Sequence, residues 1–487
     1  MSSRTDPETW PWSLIVGVTF VVAVVLRLIG LQSSLWYDEI VTLVLSVRHP
    51  VIQIVTEFPG VNAHPLYSLL AHATIAVFGE ANWTLRLPAA IFGIASVIMV
   101  YRLALTFMPR VEAWASTAVI ATSYHHVWFS QNARGYTLIG FVTLLSTFVL
   151  LRAVRTGRTV DYVVYAIACV AGIYTHLTMA FVVGGQALVL LGGRAVGWKP
   201  VTEQPLKPLM YAWAGAGLAS ALAYAPFVPG VIALMGLKTT QQAAGVATGG
   251  WAIGEALRGL LAGTGVPAAL IGGAFAAIGA LSVWRRRPLL FALLIAPAFV
   301  TAVTLIVLKQ PLRPRFFFFL SAAAALFVGR GIGAVVEGIA GRRAGATPAT
   351  KASGIVVCTG LLLSLSAVAL PTNYRVPKQD FDNAVKLLDA AEAGGAHIAM
   401  AGPACLPLST YYQKTNWTCV ETLAGWRQMQ AAGGRVLAVY TLADYIEDAA
   451  LRSDLREHCP VVQRFPATLG GGEMTVCEGA SGAAPAR

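Results

Sequence analysis

The chain has 487 residues, 56% of them hydrophobic and only 12% charged, with a mean hydropathy of +0.66 and a formal net charge of +12. Soluble globular chains carry about 25% charged residues, so a soluble enzyme is excluded, and repeated apolar runs long enough to cross a bilayer account for the deficit. The basic residues lie between those runs rather than on one polar face, which excludes a nucleic-acid binder.

Read in order, the chain predicts about eleven spans, near 11–31, 84–107, 111–128, 134–153, 160–177, 179–193, 209–229, 266–284, 288–308, 316–340 and 353–371. The first run is too long for a signal-peptide core and lacks a small-residue cleavage site. With the N-terminus in the cytoplasm, the inside loops hold Arg102 and Arg110; Arg152, Arg155 and Arg158; Arg194, Lys199 and Lys207; Arg285, Arg286 and Arg287; and Arg342, Arg343 and Lys351. The alternate loops are poorer in bases, as the positive-inside rule expects. An odd number of spans then places the C-terminal segment outside.

Residues 31–83 form a long first outer loop. Its two short apolar stretches, IVTLVLSV (40–47) and LYSLLAHATIAVFG (66–79), predict interfacial or re-entrant helices. A second outer loop, about 230–265, is Gly-rich (GVATGG, LAGTGVP) and carries few charges, a composition compatible with a mobile cover over a site. The outer loop KQPLRPR (309–315) breaks the charge pattern with Lys309, Arg313 and Arg315.

The pattern changes after the membrane domain, residues 1–371. Residues 372–487 carry 10 Lys or Arg and 12 Asp or Glu. DFDNAVKLLDAAEAGG, ETLAGWRQMQAAGG and LADYIEDAALRSDLREHC read as amphipathic helices, and AHIAMA, RVLAVYT and GEMTVCE as strands. This alternation predicts an extracytoplasmic α/β domain over 372–478, with a disordered tail at 479–487. Cys405, Cys419, Cys459 and Cys477 all lie in it, which points to two disulfides and an oxidising compartment. Of the three possible pairings, Cys405–Cys419 with Cys459–Cys477 is favoured because each closes a short loop. Cys169 and Cys358 lie in apolar spans and act as small hydrophobes.

The acids narrow the chemistry. Glu112, Asp161 and Glu337 fall near span ends, where water or headgroups can solvate them, and Glu255 falls in the second outer loop. None sits at mid-membrane, which weakens a proton-coupled transporter. Asp38 and Glu39, the one adjacent acidic pair in the membrane domain, remain to line an outer cavity. Asp38 also reads as a helix cap before IVTLVLSV, and the two roles are compatible.

Arg86, Arg134, Arg313 and Arg315 are placed on the same side, where several arginines near one acid suit an anionic ligand. Pro311 and Pro314 would stiffen the approach to the last pair. A sugar linked to a lipid phosphate fits: phosphate leaves readily when its charge is stabilised, so one carboxylate suffices to deprotonate the attacking hydroxyl. In-line attack then inverts the anomeric centre. His64, His72, His125, His126 and His176 fall near outer ends, without a spacing that marks a metal site. No cofactor is expected, although a divalent metal is not excluded by residue type.

WYDEI (36–40), AHPLYSLL (63–70), LRLPAAIFG (85–93), FSQNARGYTL (129–138), YTHLTMAFVVGGQ (174–186) and RPRFFFFLSAA (313–323) occur in the order seen in bacterial GT-C glycosyltransferases. The set most resembles the group of dolichyl-phosphate-mannose protein mannosyltransferases and aminoarabinose transferases. PKQDFDNAVKLLDAA (377–391) is similar to the start of the extracytoplasmic domain in many bacterial members. The resemblance implies a polyprenyl-phosphate sugar donor, an outer-face site in the bacterial inner membrane and an inverting mechanism. It puts the catalytic role on Asp38, with Glu39 orienting the acceptor or structuring the loop. Arg86, Arg134, Arg313 and Arg315 become donor-phosphate residues, and His64, Tyr67, Tyr136 and His176 substrate contacts. The chain departs from the group in having a single Pro65 before Leu-Tyr and no lysine between Arg48 and Arg86, which argues against an aminoarabinose donor and a lipid A acceptor.

The reading is a polytopic α-helical membrane protein, GT-C-like, with a C-terminal extracytoplasmic α/β domain. It would transfer a sugar from polyprenyl phosphate to a hydroxyl of a lipid, glycan or protein. The competing classes are a lipid-linked sugar flippase and a non-catalytic envelope assembly protein.

Overall fold

A computed structural model describes the chain except for residues 1–11, 61–62, 203–205, 238–248, 311, 343–346 and 481–487. Helix α1 (Trp12–Leu28) leads to a short α2 (Tyr37–Thr42), which widens into a π-helical turn over Leu43–Val47, then to α3 (Val51–Thr56) and α4 (Pro65–Phe78). The bundle continues with α5 (Asn82–Ala104), α6 (Arg110–Thr122), α7 (Tyr124–Ser130), α8 (Tyr136–Thr156), α9 (Thr159–Thr175) and α10 (Thr178–Ala195). After these come α11 (Lys199–Thr202), α12 (Leu206–Tyr224), α13 (Val228–Leu237), α14 (Gly249–Thr264), α15 (Val266–Arg286), α16 (Pro288–Val307), α17 (Leu320–Ala340), α18 (Pro348–Ala367) and α19 (Leu370–Arg375).

Among the described residues, eight helical stretches are long and apolar enough to cross a membrane: 82–104, 136–156, 178–195, 206–233, 266–286, 288–307, 320–340 and 348–375. The other three expected spans fall on the shorter helices α1, α6 and α9. The two apolar stretches of the first loop are helical, as expected. In the second loop, α13 and α14 occupy both flanks, while residues 238–248 lie outside the described residues, as does Pro311. Helices α15 and α17 touch backbone to backbone. A Cβ on Gly279 would lie 1.8 Å from the Phe327 carbonyl oxygen, and one on Gly331 would lie 1.8 Å from that of Phe275. Small residues at such crossings let membrane helices gain dispersion contact that lipid cannot supply.

Two of the acids at span ends, Glu112 and Asp161, are not left to water. Glu112 is 1% exposed and bonds Arg330 Nη1 at 2.5 Å, while Glu337 takes Nη2 of the same guanidinium at 2.6 Å. Asp161, also buried, pairs with Arg152. Low-dielectric surroundings make an unpaired carboxylate costly, so the two buried acids have each gained a partner.

The C-terminal domain begins with α20 (Phe381–Ala393), whose N-cap Asp380 accepts from the Asn383 amide at 3.2 Å. Then come β1 (His397–Ala401), β2 (Thr418–Val420), α21 (Leu423–Ala431), β3 (Val436–Tyr440), α22 (Ala449–Glu457), β4 (Val461–Phe465) and β5 (Met474–Glu478). The sheet order is β2-β1-β3-β5-β4; β1 runs parallel to β2 and β3, and β5 antiparallel to β3 and β4. Both disulfides are present, Cys405–Cys419 and Cys459–Cys477, the favoured pairing. The helix expected over 442–459 starts only at Ala449. Leu442 adopts a left-handed φ of 48°, and Asp448 caps the helix by accepting from the amides of Ala450 and Leu451 at 2.8 and 3.3 Å. Of the expected tail, residues 481–487 lie outside the described residues.

One face of the sheet shares a core with the first loop. Phe381, Leu388, Ile398, Met400 and Met474 join Leu35, Ile40, Leu43, Val47 and Leu85 in a single buried cluster. The domain is thus packed onto the segment that carries Asp38 rather than tethered beside it.

Candidate active site

The site is built on α2. Its N-cap is Trp36, and the side chain that reaches back to the Trp36 amide is that of Glu39, with Oε2 at 3.3 Å. The helix-closing carboxylate is therefore Glu39, whereas Asp38 points elsewhere around the helix. Glu39 is fully buried. Its Oε1 accepts from Arg86 Nε and from the Ala133 amide, both at 2.7 Å, and its Oε2 accepts from Arg86 Nη2 at 2.5 Å. Burial alone would raise the Glu39 pKa, but the Arg86 guanidinium outweighs it and holds the carboxylate below its usual range.

Arg86 spends the rest of its donors on the same loop, to the carbonyls of Leu31 and Ser33 through Nη1 and of Ser34 through Nη2, at 2.7–2.8 Å. A guanidinium has five N–H groups, and all are engaged. Arg86 is the anchor of the loop, with none left for a phosphate.

Asp38 is 5% exposed, and its Oδ2 lies 3.3 Å from Arg315 Nη1. Arg134, from the turn before α8, approaches α2 from another side: Nη1 donates to Thr42 Oγ1 at 2.9 Å, and Thr42 Oγ1 donates to the Asp38 carbonyl at 2.8 Å. Arg315 belongs to a 3-10 turn, Pro314–Phe317, just before α17. Burial works against its charge, but Tyr136, Asp38 and Tyr445 outweigh it and raise its pKa. Its Nε is buried with no hydrogen-bond partner among the described residues. A recess of about 180 Å³, its open mouth included, lies here between Tyr136, Thr178, Arg315 and Phe316.

The His64 and His176 rings pack at a centroid distance of 4.8 Å, with Tyr136 5.3 Å from His64 and Phe316 5.7 Å from His176. Burial first, then the charges of Arg134 and Arg315, push His176 down to about 3, and burial with the same arginines and His176 holds His64 well below its usual range. Both rings are neutral at pH 7. The Thr178 amide donates to His176 Nδ1 at 3.2 Å, so the neutral ring carries its proton on Nε2. Close approach of these rings needs Gly135: a Cβ there would lie 2.4 Å from Thr175 Cγ2 and 2.9 Å from His64 Nδ1.

Asp38, Arg134, Arg315, His64, Tyr136 and His176 are thus brought together. Tyr67 is not at the recess: its hydroxyl donates to the Leu85 carbonyl at 2.8 Å in the interior. Arg313 is not among the residues lining the recess and donates through Nη1 to the Tyr445 hydroxyl at 2.8 Å. Among the described residues, no group of three or more His, Cys, Asp or Glu side chains is gathered to hold a metal ion.

Two residues without an assigned role complete the surroundings. Lys378 is buried, donates to the Gln131 carbonyl at 2.6 Å and lies 5.3 Å from the Trp128 ring centroid. Burial, then the neighbouring Arg86, lowers its pKa to about 7 against the opposing pull of Glu39. Gln379 accepts from the Tyr37 amide at 2.7 Å. Both fall in PKQD, but nothing in that motif announces contact with a loop more than 300 residues away.

The architecture matches known structures along nearly its whole length. ArnT from Cupriavidus metallidurans in the apo state aligns with a TM-score of 0.56 at 12% identity, covering 98% of this chain and 99% of that one. ArnT bound to undecaprenyl phosphate aligns at 0.55 and 13% identity, covering 97% and 99%. The chain has the GT-C fold. The archaeal oligosaccharyltransferase AglB from Archaeoglobus fulgidus, solved with an inhibitory peptide and a dolichol-phosphate, shares this fold at a TM-score of 0.57 and 11% identity, covering 98% of this chain and 75% of that one. In sequence, a family profile described as dolichyl-phosphate-mannose-protein mannosyltransferase matches residues 62–214. A putative mannosyltransferase, YkcB of Bacillus subtilis (strain 168), is 24% identical over 126 residues, which is 26% of this chain and 18% of that protein's length. The matched GT-C region holds His64, Arg86, Arg134, Tyr136 and His176; Asp38 and Arg315 lie outside it.

Proposed function

We propose that this protein is an inverting glycosyltransferase that moves a sugar from a polyprenyl-phosphate donor to a hydroxyl acceptor on the extracytoplasmic face of the bacterial inner membrane. The observation that carries the reading is the Asp38 carboxylate, 3.3 Å from Arg315, which lines a recess whose Tyr136 and Phe316 pack against two neutral histidine rings. The undecaprenyl phosphate of ArnT and the dolichol-phosphate of AglB support a lipid-phosphate donor. The two disulfides of the domain packed on the site support an oxidising compartment.

In this reading Arg315 and Arg134 hold the donor phosphate, with Arg315 Nε as an unused donor. Arg313 adds charge. His176 presents Nε2–H as a neutral donor, and Tyr136 walls the recess with His64 packed behind its ring. The acceptor oxygen attacks the anomeric carbon from the side opposite the phosphate. A C–O bond forms there as the bond to phosphate oxygen breaks, and the leaving phosphate keeps the electron pair. Asp38 takes the acceptor proton. The arginines supply charge stabilisation as negative charge builds on phosphate, and no metal is required by this scheme.

The test is transfer from a synthetic polyprenyl-phosphate sugar by the purified full chain. Asp38→Asn should lower kcat by about 10²-fold or more, the usual contribution of a positioned base, with an unchanged melting temperature. Full activity of the variant would remove Asp38 as the base.

A further inference from the structure

One five-residue turn of the C-terminal domain reaches both sides of the site. It follows β3 and runs from Thr441 to Tyr445. At its start, Thr441 is 1% exposed, donates to the Gly472 carbonyl at 3.1 Å and accepts from Gln379 Nε2 at 2.8 Å. The other end of that amide, Gln379 Oε1, accepts from the Tyr37 amide at 2.7 Å, the peptide next to Asp38. At the far end of the turn, the Tyr445 hydroxyl accepts from Arg313 Nη1 at 2.8 Å, and the guanidinium lies 5.5 Å from the Tyr445 ring centroid.

The turn itself is held firmly. It leaves β3, which is hydrogen-bonded on both edges. Leu442 takes a left-handed φ of 48°, fixed by its amide bond to the Gly471 carbonyl at 3.2 Å and by the Tyr445 amide returning to the Leu442 carbonyl at 2.8 Å. A residue with a side chain adopts that conformation only where its surroundings impose it. A tether that merely kept the domain docked would need contact with one element. This turn instead touches the Asp38 segment through Gln379 and the Arg313–Arg315 segment through Tyr445.

We propose that the 441–445 turn sets the spacing between the segment that carries Asp38 and the segment that carries Arg313 and Arg315, with Gln379 and Tyr445 as its two positioning residues. This rests on the transfer reaction proposed above. Gln379 fixes the start of α2 and hence the direction of Asp38. Tyr445 orients the Arg313 fork through its bond to Nη1. The C-terminal domain is then part of the active site through the residues that position its charged groups.

Tyr445 is 43% exposed, so its variants should fold. With the full-length protein and a synthetic polyprenyl-phosphate sugar, Tyr445→Phe should raise the donor KM about 3- to 10-fold, the effect of removing one charge-assisted hydrogen bond. Its kcat and melting temperature should be unchanged. Gln379→Ala should instead lower kcat, with donor KM nearly constant. Amide hydrogen exchange supplies a readout that needs no turnover: Gln379→Ala should speed exchange at Tyr37, and Tyr445→Ala should speed it over 312–317. Unchanged donor KM in both Tyr445 variants of an active enzyme would overturn the proposal. Were the wild type inactive with every donor tried, the reaction itself would fail, and unchanged exchange in both variants would then reject the spacing role independently.

Discussion

Glu39 and Arg86 meet with no solvent on either side chain, Oε2 and Nη2 2.5 Å apart, and this pair closes the loop that presents Asp38. Removing one partner of a buried pair leaves an uncompensated charge and costs about 3–5 kcal/mol. Arg86→Ala should therefore lose most folded protein, read as a monodisperse peak in detergent. Arg86→Lys should not rescue it, because one ammonium cannot span Glu39 and the carbonyls of Leu31, Ser33 and Ser34. Normal yield and melting temperature of Arg86→Ala would show the pair to be dispensable.

Arg315 is expected to behave differently. It is partly exposed at the recess, and its loss should leave folding intact. Arg315→Ala should lower kcat/KM by about 10²-fold, as when a donor to developing charge is removed. Arg315→Lys should recover only part of this, since the lysine keeps the charge but not the fork. A donor-titrated rate assay checks both.

Lys378 gives the fold a pH dependence of defined sign. Its pKa in the folded chain is about 7, against about 10.4 when unfolded. Between those values the unfolded chain binds the extra proton, so stability rises with pH from about 7 to 10; below 7 both states are protonated and the burial cost is at its full value. The wild-type melting temperature should climb over that window, and Lys378→Met should flatten the climb. Parallel curves for the two proteins would assign the dependence to other groups.

Gly135→Ala tests the packed histidine pair. The added methyl would lie 2.4 Å from Thr175 Cγ2 and 2.9 Å from His64 Nδ1. Overpacking of this kind costs about 1–3 kcal/mol and should displace His64. A fall in kcat/KM larger than the stability loss explains, measured at a temperature where the variant remains folded, is the expected result.

Much of this was legible in the chain. Apolar runs located the membrane helices, because bilayer thickness sets their length. Cysteine spacing located both disulfides. The side of the membrane pieced together from loop charges brought Asp38, Arg134 and Arg315 into one neighbourhood. The partners within that neighbourhood were not legible. Arg86 and Arg315 read alike, yet one is consumed by Glu39 and the other faces the recess, a difference made by packing across 47 residues of chain. Strand β2 has three residues and β4 an almost uniformly exposed face, so neither carries a period to recognise. Glu112 looked solvated because its partner, Arg330, lies 218 residues further on.

The bond from the Tyr37 amide to Gln379 spans 342 residues, and this sets an order of biosynthesis. The loop bearing Asp38 is made well before its cover. At about 5–20 residues per second, translation leaves roughly 20–70 s between them. Throughout that interval Leu35, Ile40, Leu43 and Val47 lack the apolar face they finally share with Phe381 and Met474. A nascent chain that stalls before β5 would thus carry the eight described membrane stretches and still have an unfinished Asp38 loop, open to aggregation or proteolysis.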